Sequence, residues 1–250
     1  MKKEVNGLEV YNKIMDAALK LPGAKVNRSE FLRKELKPYV REEIIDRAID
    51  TSVFEAGIFE GILKKIAHSV LRYHKWMASG VSFLDGLPGG FAILAMIPTD
   101  VAQFYYNAII LAQKLAYIYG WPDLSGDITN DDLKIEIALF MGVMMGNATA
   151  VTAIKQLADT LSKGIAERLP RVALTKYAIF NTVKQIARWV GVEITKDSFA
   201  KGISKVVPIV GGFVSGGLTL GMMTTMGNRL IKHLKANPFK PDECKDTIFA

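Results

Sequence analysis

Cysteine is almost absent: Cys244 is the only one among 250 residues. A lone thiol makes no internal disulfide and no thiolate metal site, which argues against a disulfide scaffold or a zinc module. Histidine is nearly as scarce. His68 and His74 stand six apart with no glutamate between them, and His233 is far away in sequence. That spacing does not place a helical metal pair. Phosphate-binding loops are missing, because no glycine-rich piece runs into Gly-Lys-Ser/Thr. Gly86-x-x-Gly89-Gly90 follows a helical pattern instead of a strand, which argues against a dinucleotide site. Ser215 beside Gly216-Gly217 does not make a nucleophile elbow. No metal, cofactor or catalytic set is expected. Met1-Lys2-Lys3-Glu4-Val5-Asn6-Gly7 has no apolar run behind its charges, so no secretory signal is expected. The single thiol agrees with a cytoplasmic setting.

Charge is present but uneven. The net charge is +7, and the last hundred residues alone carry +8, while residues 101–150 carry −3. A basic C-terminal part suits nucleic acid, anionic lipid or an acidic partner. No RNP-like aromatic motif, zinc-finger spacing or arginine-rich run is present, so nucleic acid is not expected. Half the residues are apolar, and mean hydropathy is +0.18. Residues 137–154 and 206–228 hold no charge. The second stretch is long enough to span a bilayer. Pro208, its glycines, Thr224 and Thr225 keep it from reading as a clean span. Buried core helices and bilayer insertion both remain open for these stretches.

Apolar residues recur at helical spacing almost throughout, and no segment alternates as a strand does. Helices are expected at about 8–21, 29–38, 41–50, 59–76, 100–119, 133–145, 150–167, 171–190, 196–206 and 229–236. In the fourth, Phe59, Ile62, Leu63, Ile66, Val70 and Tyr73 share one face, with Lys64, Lys65, Arg72 and Lys75 opposite. Helix 100–119 is nearly all apolar. Its polar residues Asp100, Gln103, Asn107 and Lys114 fall close to one stripe. Thr99 reads as an N-cap, with Asp100 in the first turn, where an anion suits the helix dipole. The fold class is all-α: a multi-helix bundle with glycine-rich apolar helices or hairpins.

Three features favour interaction over chemistry. Gly212 and Gly216, Gly217 and Gly221, and Gly211 and Ser215 form small-residue pairs at i, i+4, which let helix backbones approach closely. Trp76, Tyr117, Tyr119, Trp121 and Trp189 stand at the ends of apolar helices, where amphipathic rings meet headgroups or cap a bundle. Arg229, Lys232, His233, Lys235 and Lys240 follow the longest uncharged stretch, a juxtaposition suited to an anionic leaflet or to a solvated helix face.

Several of these residues occur in a recognisable order. Gly86-Leu87-Pro88-Gly89-Gly90-Phe91-Ala92 is similar to the glycine–proline breaker of the EcsC family, and Ile97-Pro98-Thr99-Asp100 to its Ile-Pro-x-Asp step. The run Gln113–Gly120 resembles the helix end that follows, and Val207-Pro208 through Gly227-Asn228 resembles the glycine-rich C-terminal block. The resemblance covers about residues 50–236. It implies a helical fold and a bacterial membrane context, and it supplies no catalytic residues.

The resulting expectation is three parts: an N-terminal amphipathic helical segment (1–50), an EcsC-like helical domain (51–240) and a C-terminal tail (241–250). The protein is read as a non-enzymatic helical protein acting at or in the cytoplasmic face of the inner membrane, peripheral or partly inserted. Its lipid or helix-packing residues are Pro88, Gly89, Gly90, Pro98, Asp100, Gly211, Gly212, Gly216, Gly217 and Gly221. Its basic membrane-facing residues are Arg229, Lys232, Lys235 and Lys240. The expected partners are anionic lipid headgroups and further copies of the chain. The alternative is a soluble helical bundle with a pocket for a lipid or other apolar ligand, lined from 91–118 and 209–223. A third class is a hydrolase that uses Asp100.

Overall fold

The computed structural model describes residues 6–79, 99–123, 130–164, 180–204 and 211–240. Nine α-helices and no strand occur among them. They are α1 (Gly7–Ala18), α2 (Arg28–Leu36), α3 (Glu42–Asp50), α4 (Glu60–Ser79), α5 (Thr99–Ile118), α6 (Asn130–Met145), α7 (Ala148–Gly164), α8 (Phe180–Ser204) and α9 (Gly211–Ala236). The all-α expectation is met. Two boundaries differ from it. The segments expected at 171–190 and 196–206 meet in one helix, α8, and the piece expected at 229–236 is the end of α9. Glycine inside a helix costs about 1 kcal/mol, yet neither Gly191 nor the glycine ladder breaks its helix.

Local chemistry sets the helix ends. Asn6 and Asn27 occupy N-caps, and their side chains accept from Glu9 N at 3.5 Å and Glu30 N at 2.9 Å. Asn147 does the same for Ala150 N at 2.9 Å, opening α7. Each fills one donor that a helix start leaves orphaned. Gly120, at φ +85°, closes α5. There Trp121 N donates to Ala116 O and Gly120 N to Tyr117 O, a Schellman arrangement.

Helix α5 is the centre. From Phe104 to Trp121 only Lys114 is not fully buried. A helix apolar on every side needs neighbours on every side, and α5 packs on α1, α2, α4, α6 and α9. Helix α4 lies along both α5 and α9, while α8 packs on α1, α6 and α7. One hydrophobic cluster runs from Tyr11 to Leu234 and includes Tyr11, Ile14 and Met15 of the first fifty residues. The uncharged stretch 137–154 is interior over residues 137–144, while Gly146, Ala148, Thr149 and Thr152 beyond them are exposed.

Three crossings place a glycine hard against a neighbouring helix. A Cβ at Gly191 of α8 would overlap Gly7 O of α1, and one at Gly7 would overlap Arg188 O. The backbones of α1 and α8 therefore touch. Gly227 of α9 lies instead against the Leu71 side chain of α4, whose far end can shift, and Gly142 of α6 lies against Ile186 of α8 and Ala150 of α7.

Loop 19–27 is fastened to α5 by buried polar groups. Gln113 Oε1 accepts from Val26 N at 3.1 Å, and its Nε2 donates to Ala24 O at 2.7 Å. Tyr106 OH donates to Pro22 O and Tyr117 OH to Val26 O. Arg28, 5% exposed, donates to Ala48 O, Ile49 O and Trp121 O, joining α2 to the end of α3 and to α5. These links place one wall of the cavity described next.

Candidate functional site

Helices α2, α4 and α5 enclose an open cavity of about 330 Å³. Its apolar walls include Val26, Phe31, Tyr73, Met77, Tyr106 and Ile110. At its inner side stands Lys114, half-buried in an otherwise buried helix. Lys114 Nζ lies 3.0 Å from His74 Nε2, and His74 Nδ1 lies 3.2 Å from Asn107 Oδ1. An ammonium only donates, so Nε2 must accept. Nδ1 then carries the hydrogen and donates to the Asn107 carbonyl oxygen. This assignment makes His74 neutral. Its 3% exposure agrees: burial, then the Lys114 charge, pull its pKa from 6.5 to about 3, against a smaller upward effect of the Asn107 bond.

The ammonium is itself perturbed. Desolvation lowers the Lys114 pKa, Glu35 opposes that, and Lys34 adds to it. The Lys114 Nζ also lies over the rings of Phe31 (5.7 Å) and Tyr73 (5.8 Å). Cation–π attraction of this kind contributes about 0.5–2 kcal/mol. No ion pair among the described residues involves Lys114.

The polar stripe expected on α5 thus has a partner at Asn107 and Lys114. Of the two histidines of α4, His68 is exposed, whereas His74 is interior. Asp100 falls in the first turn of α5, and its side chain lies outside the described residues. The expected ligand pocket, lined from 91–118 and 209–223, shares only Tyr106, Asn107, Ile110 and Lys114 with the cavity found. Residues 91–98, 209 and 210 lie outside the described residues, as do Pro88, Gly89, Gly90 and Pro98.

The glycine ladder is helical. Gly211, Gly212, Gly216, Gly217 and Gly221 all lie in α9. Of the first four only the backbone is described. Gly221 is exposed, and a Cβ there would meet nothing within 4 Å. Among the described residues, no helix is long and apolar enough to cross a membrane.

The basic residues separate into two kinds. Arg229 Nη1 donates to Met144 O at 2.7 Å, and its guanidinium covers Gly146 at the turn between α6 and α7. Lys232 and Lys235 are exposed, and Lys240 Nζ sits 4.9 Å from the centre of the Phe54 ring. Lys235 and Lys64 line one narrow crevice where α9 meets α4. On α4 the only acid is Glu60; Lys64, Lys65, His68 and Arg72 are exposed beyond it. Phe59, Tyr73 and Trp76 are also exposed, at 74%, 58% and 60%. Periodicity placed Phe59 and Tyr73 with the buried face; Leu63, Ile66 and Val70 are buried, and those two rings are not.

Neither a family model, nor a curated protein, nor a solved structure matches the chain. The EcsC resemblance therefore stands on the residues quoted for it. No group of three or more His, Cys, Asp or Glu able to hold a metal ion occurs among the described residues.

Proposed function

We propose that the chain is a non-enzymatic, EcsC-like helical protein that docks on the anionic, cytoplasmic face of the inner membrane. The observation that carries this reading is the meeting of Lys64 and Lys235 in one crevice. The crevice, which Glu60 also lines, brings Lys64 of α4 beside Lys235 of α9, and Lys65, Arg72 and Lys232 are exposed on the same two helices. Each cation near an anionic leaflet contributes about 1 kcal/mol, and the effect fades within a Debye length. Tyr73 and Trp76 add exposed rings of the kind enriched at headgroup depth. Part of the expected basic set has another use, since Arg229 is engaged by the Met144 carbonyl. Partial insertion and self-association through the ladder Gly211–Gly221 extend this proposal.

Vesicle flotation tests it. Binding should require phosphatidylglycerol, weaken with added salt, and be largely lost when Lys64, Lys232, Lys235 and Lys240 are all changed to Gln. Salt-independent binding to neutral phosphatidylcholine vesicles, or an unaffected quadruple variant, would sink the electrostatic docking.

A second reading, a helical bundle that takes an apolar ligand, is favoured by the 330 Å³ cavity beside Lys114, a volume at the lower end of small-molecule sites.

A further inference from the structure

We propose that the Lys114 cavity receives a free amphiphilic acid, its carboxylate or similar mono-anion seated on the Lys114 ammonium and its apolar body laid along the aromatic walls. The proposal rests on the second reading above and adds the chemical class of the ligand.

The ammonium defines the polar end. It has three N–H groups, and one serves His74 Nε2 at 3.0 Å. The faces of Phe31 and Tyr73 offer it quadrupoles, not a formal charge. A cation removed from water needs a counter-charge or strong acceptors to offset its lost hydration. None of the ion pairs among the described residues provides one. Glu35 borders the same cavity and acts on Lys114 without forming an ion pair with it, and Lys34 opposes it. A ligand carboxylate brings the missing charge and accepts the remaining donors, and charge-assisted bonds of this type are the stronger class.

The orientation of that ammonium is built in. Asn107 fixes the His74 tautomer, and His74 then holds Lys114 through an acceptor that carries no charge. His74 and Asn107 are positioning residues for the lysine. The remainder of the ligand is set by the walls. Tyr106 is tied to Pro22 O, and Gln113 holds Ala24 and Val26, so this wall is fixed before a ligand arrives. Phe31, Tyr73, Tyr106 and Ile110 offer mainly apolar surface. Lys25, Lys34, Glu30 and Glu35 also border the cavity, giving it one net positive charge with Lys114. That balance suits one negative charge better than a doubly charged phosphate.

The experiment uses the full chain, with decanoate below its micellar concentration and the uncharged decanol below its solubility limit as probes, by calorimetric titration. Decanoate should bind at least tenfold more tightly than decanol. Lys114→Met should abolish the preference, and Lys114→Arg should restore part of it. In ¹⁵N-labelled wild-type protein the His74 ring signals should shift with decanoate and not with decanol, a readout that needs no variant to fold. Binding of phosphatidylglycerol vesicles should survive in Lys114→Met, which separates this site from the membrane face. Equal affinity for the two probes, no binding of either, a preference retained in Lys114→Met, or a silent His74 would each overturn the proposal. So would loss of vesicle binding in Lys114→Met without decanoate binding, which would assign Lys114 to a lipid headgroup.

Discussion

At the scale of single residues, His74 and Arg28 show how buried polar groups are held. His74 keeps a neutral ring because burial disfavours its charged form and, second, because an imidazolium would stand beside the Lys114 ammonium. The linkage sign follows. An unfolded histidine takes up its proton near pH 6.5, and the folded one only near pH 3. Between those values the unfolded chain binds more protons, so stability rises with pH across this window and is lost as pH falls through it. The shift corresponds to on the order of 5 kcal/mol once fully developed. Tyr73, Tyr106, Lys34 and Glu35 also face this site, so the comparison must be differential. His74→Gln should be less sensitive to acid than the wild type between pH 6.5 and 3, as measured by urea unfolding at each pH. Parallel curves for the two proteins would remove His74 as the titrating group. Arg28→Met should destabilise by about 3 kcal/mol, because three carbonyls lose their charged donor. For a chain of this size that is a fall of roughly 6–12 °C in Tm by calorimetry. The sequence displayed half of the candidate site. Asn107 and Lys114 stand out as polar positions on an apolar helix, so some partner is demanded. The identity of that partner depends on which helix lies across α5, and 33 residues separate His74 from Asn107. Periodicity carries no such long-range information.

At the scale of helices, glycines with the same sequence appearance do opposite things. The expected smooth surface was the run from Gly211 to Gly221. The described close crossings use Gly7, Gly142, Gly191 and Gly227 instead. An isolated glycine in a helical pattern gives no sign of what crosses it, whereas a ladder draws attention by repetition. Gly191→Ala should cost about 3 kcal/mol, since the added methyl meets backbone that has no side chain to move. Gly221→Ala should stabilise by about 0.5–1 kcal/mol, because it gains helix propensity and touches nothing. Thermal melts of the two variants measure both signs. If Gly221 packs against a second copy in the membrane, Gly221→Leu should abolish crosslinking there while leaving the melt of the free protein unharmed. Crosslinking that persists would remove Gly221 from the association surface. The caps at Asn6, Asn27 and Asn147 show themselves only once the side chains are placed, whereas most helix positions were legible because apolar periodicity is local. The fusion of two expected segments into α8 was not, because Gly191 reads as a weak point until α1 is known to lie on it.

At the scale of the whole molecule, the proposed docking face and the cavity meet on α4. Tyr73 walls the cavity and is exposed, and Trp76 is exposed one turn further on. The four-lysine variant described above should leave the decanoate titration unchanged, since none of those lysines lines that cavity. A loss of both together would mean that the two surfaces are one. The touching backbones of α1 and α8 have a further consequence, in the order of events during synthesis. Tyr11, Ile14 and Met15 are made well before the helix that covers them, and α1 also reaches Lys134 through Tyr11 and Asp16. Its main seat, Gly191, is made 184 residues after Gly7. At about 5–20 residues per second, the greasy face of α1 waits on the order of ten to forty seconds for its groove. During that interval it is a length of amphipathic helix without a home, within reach of any chaperone or apolar surface near the ribosome.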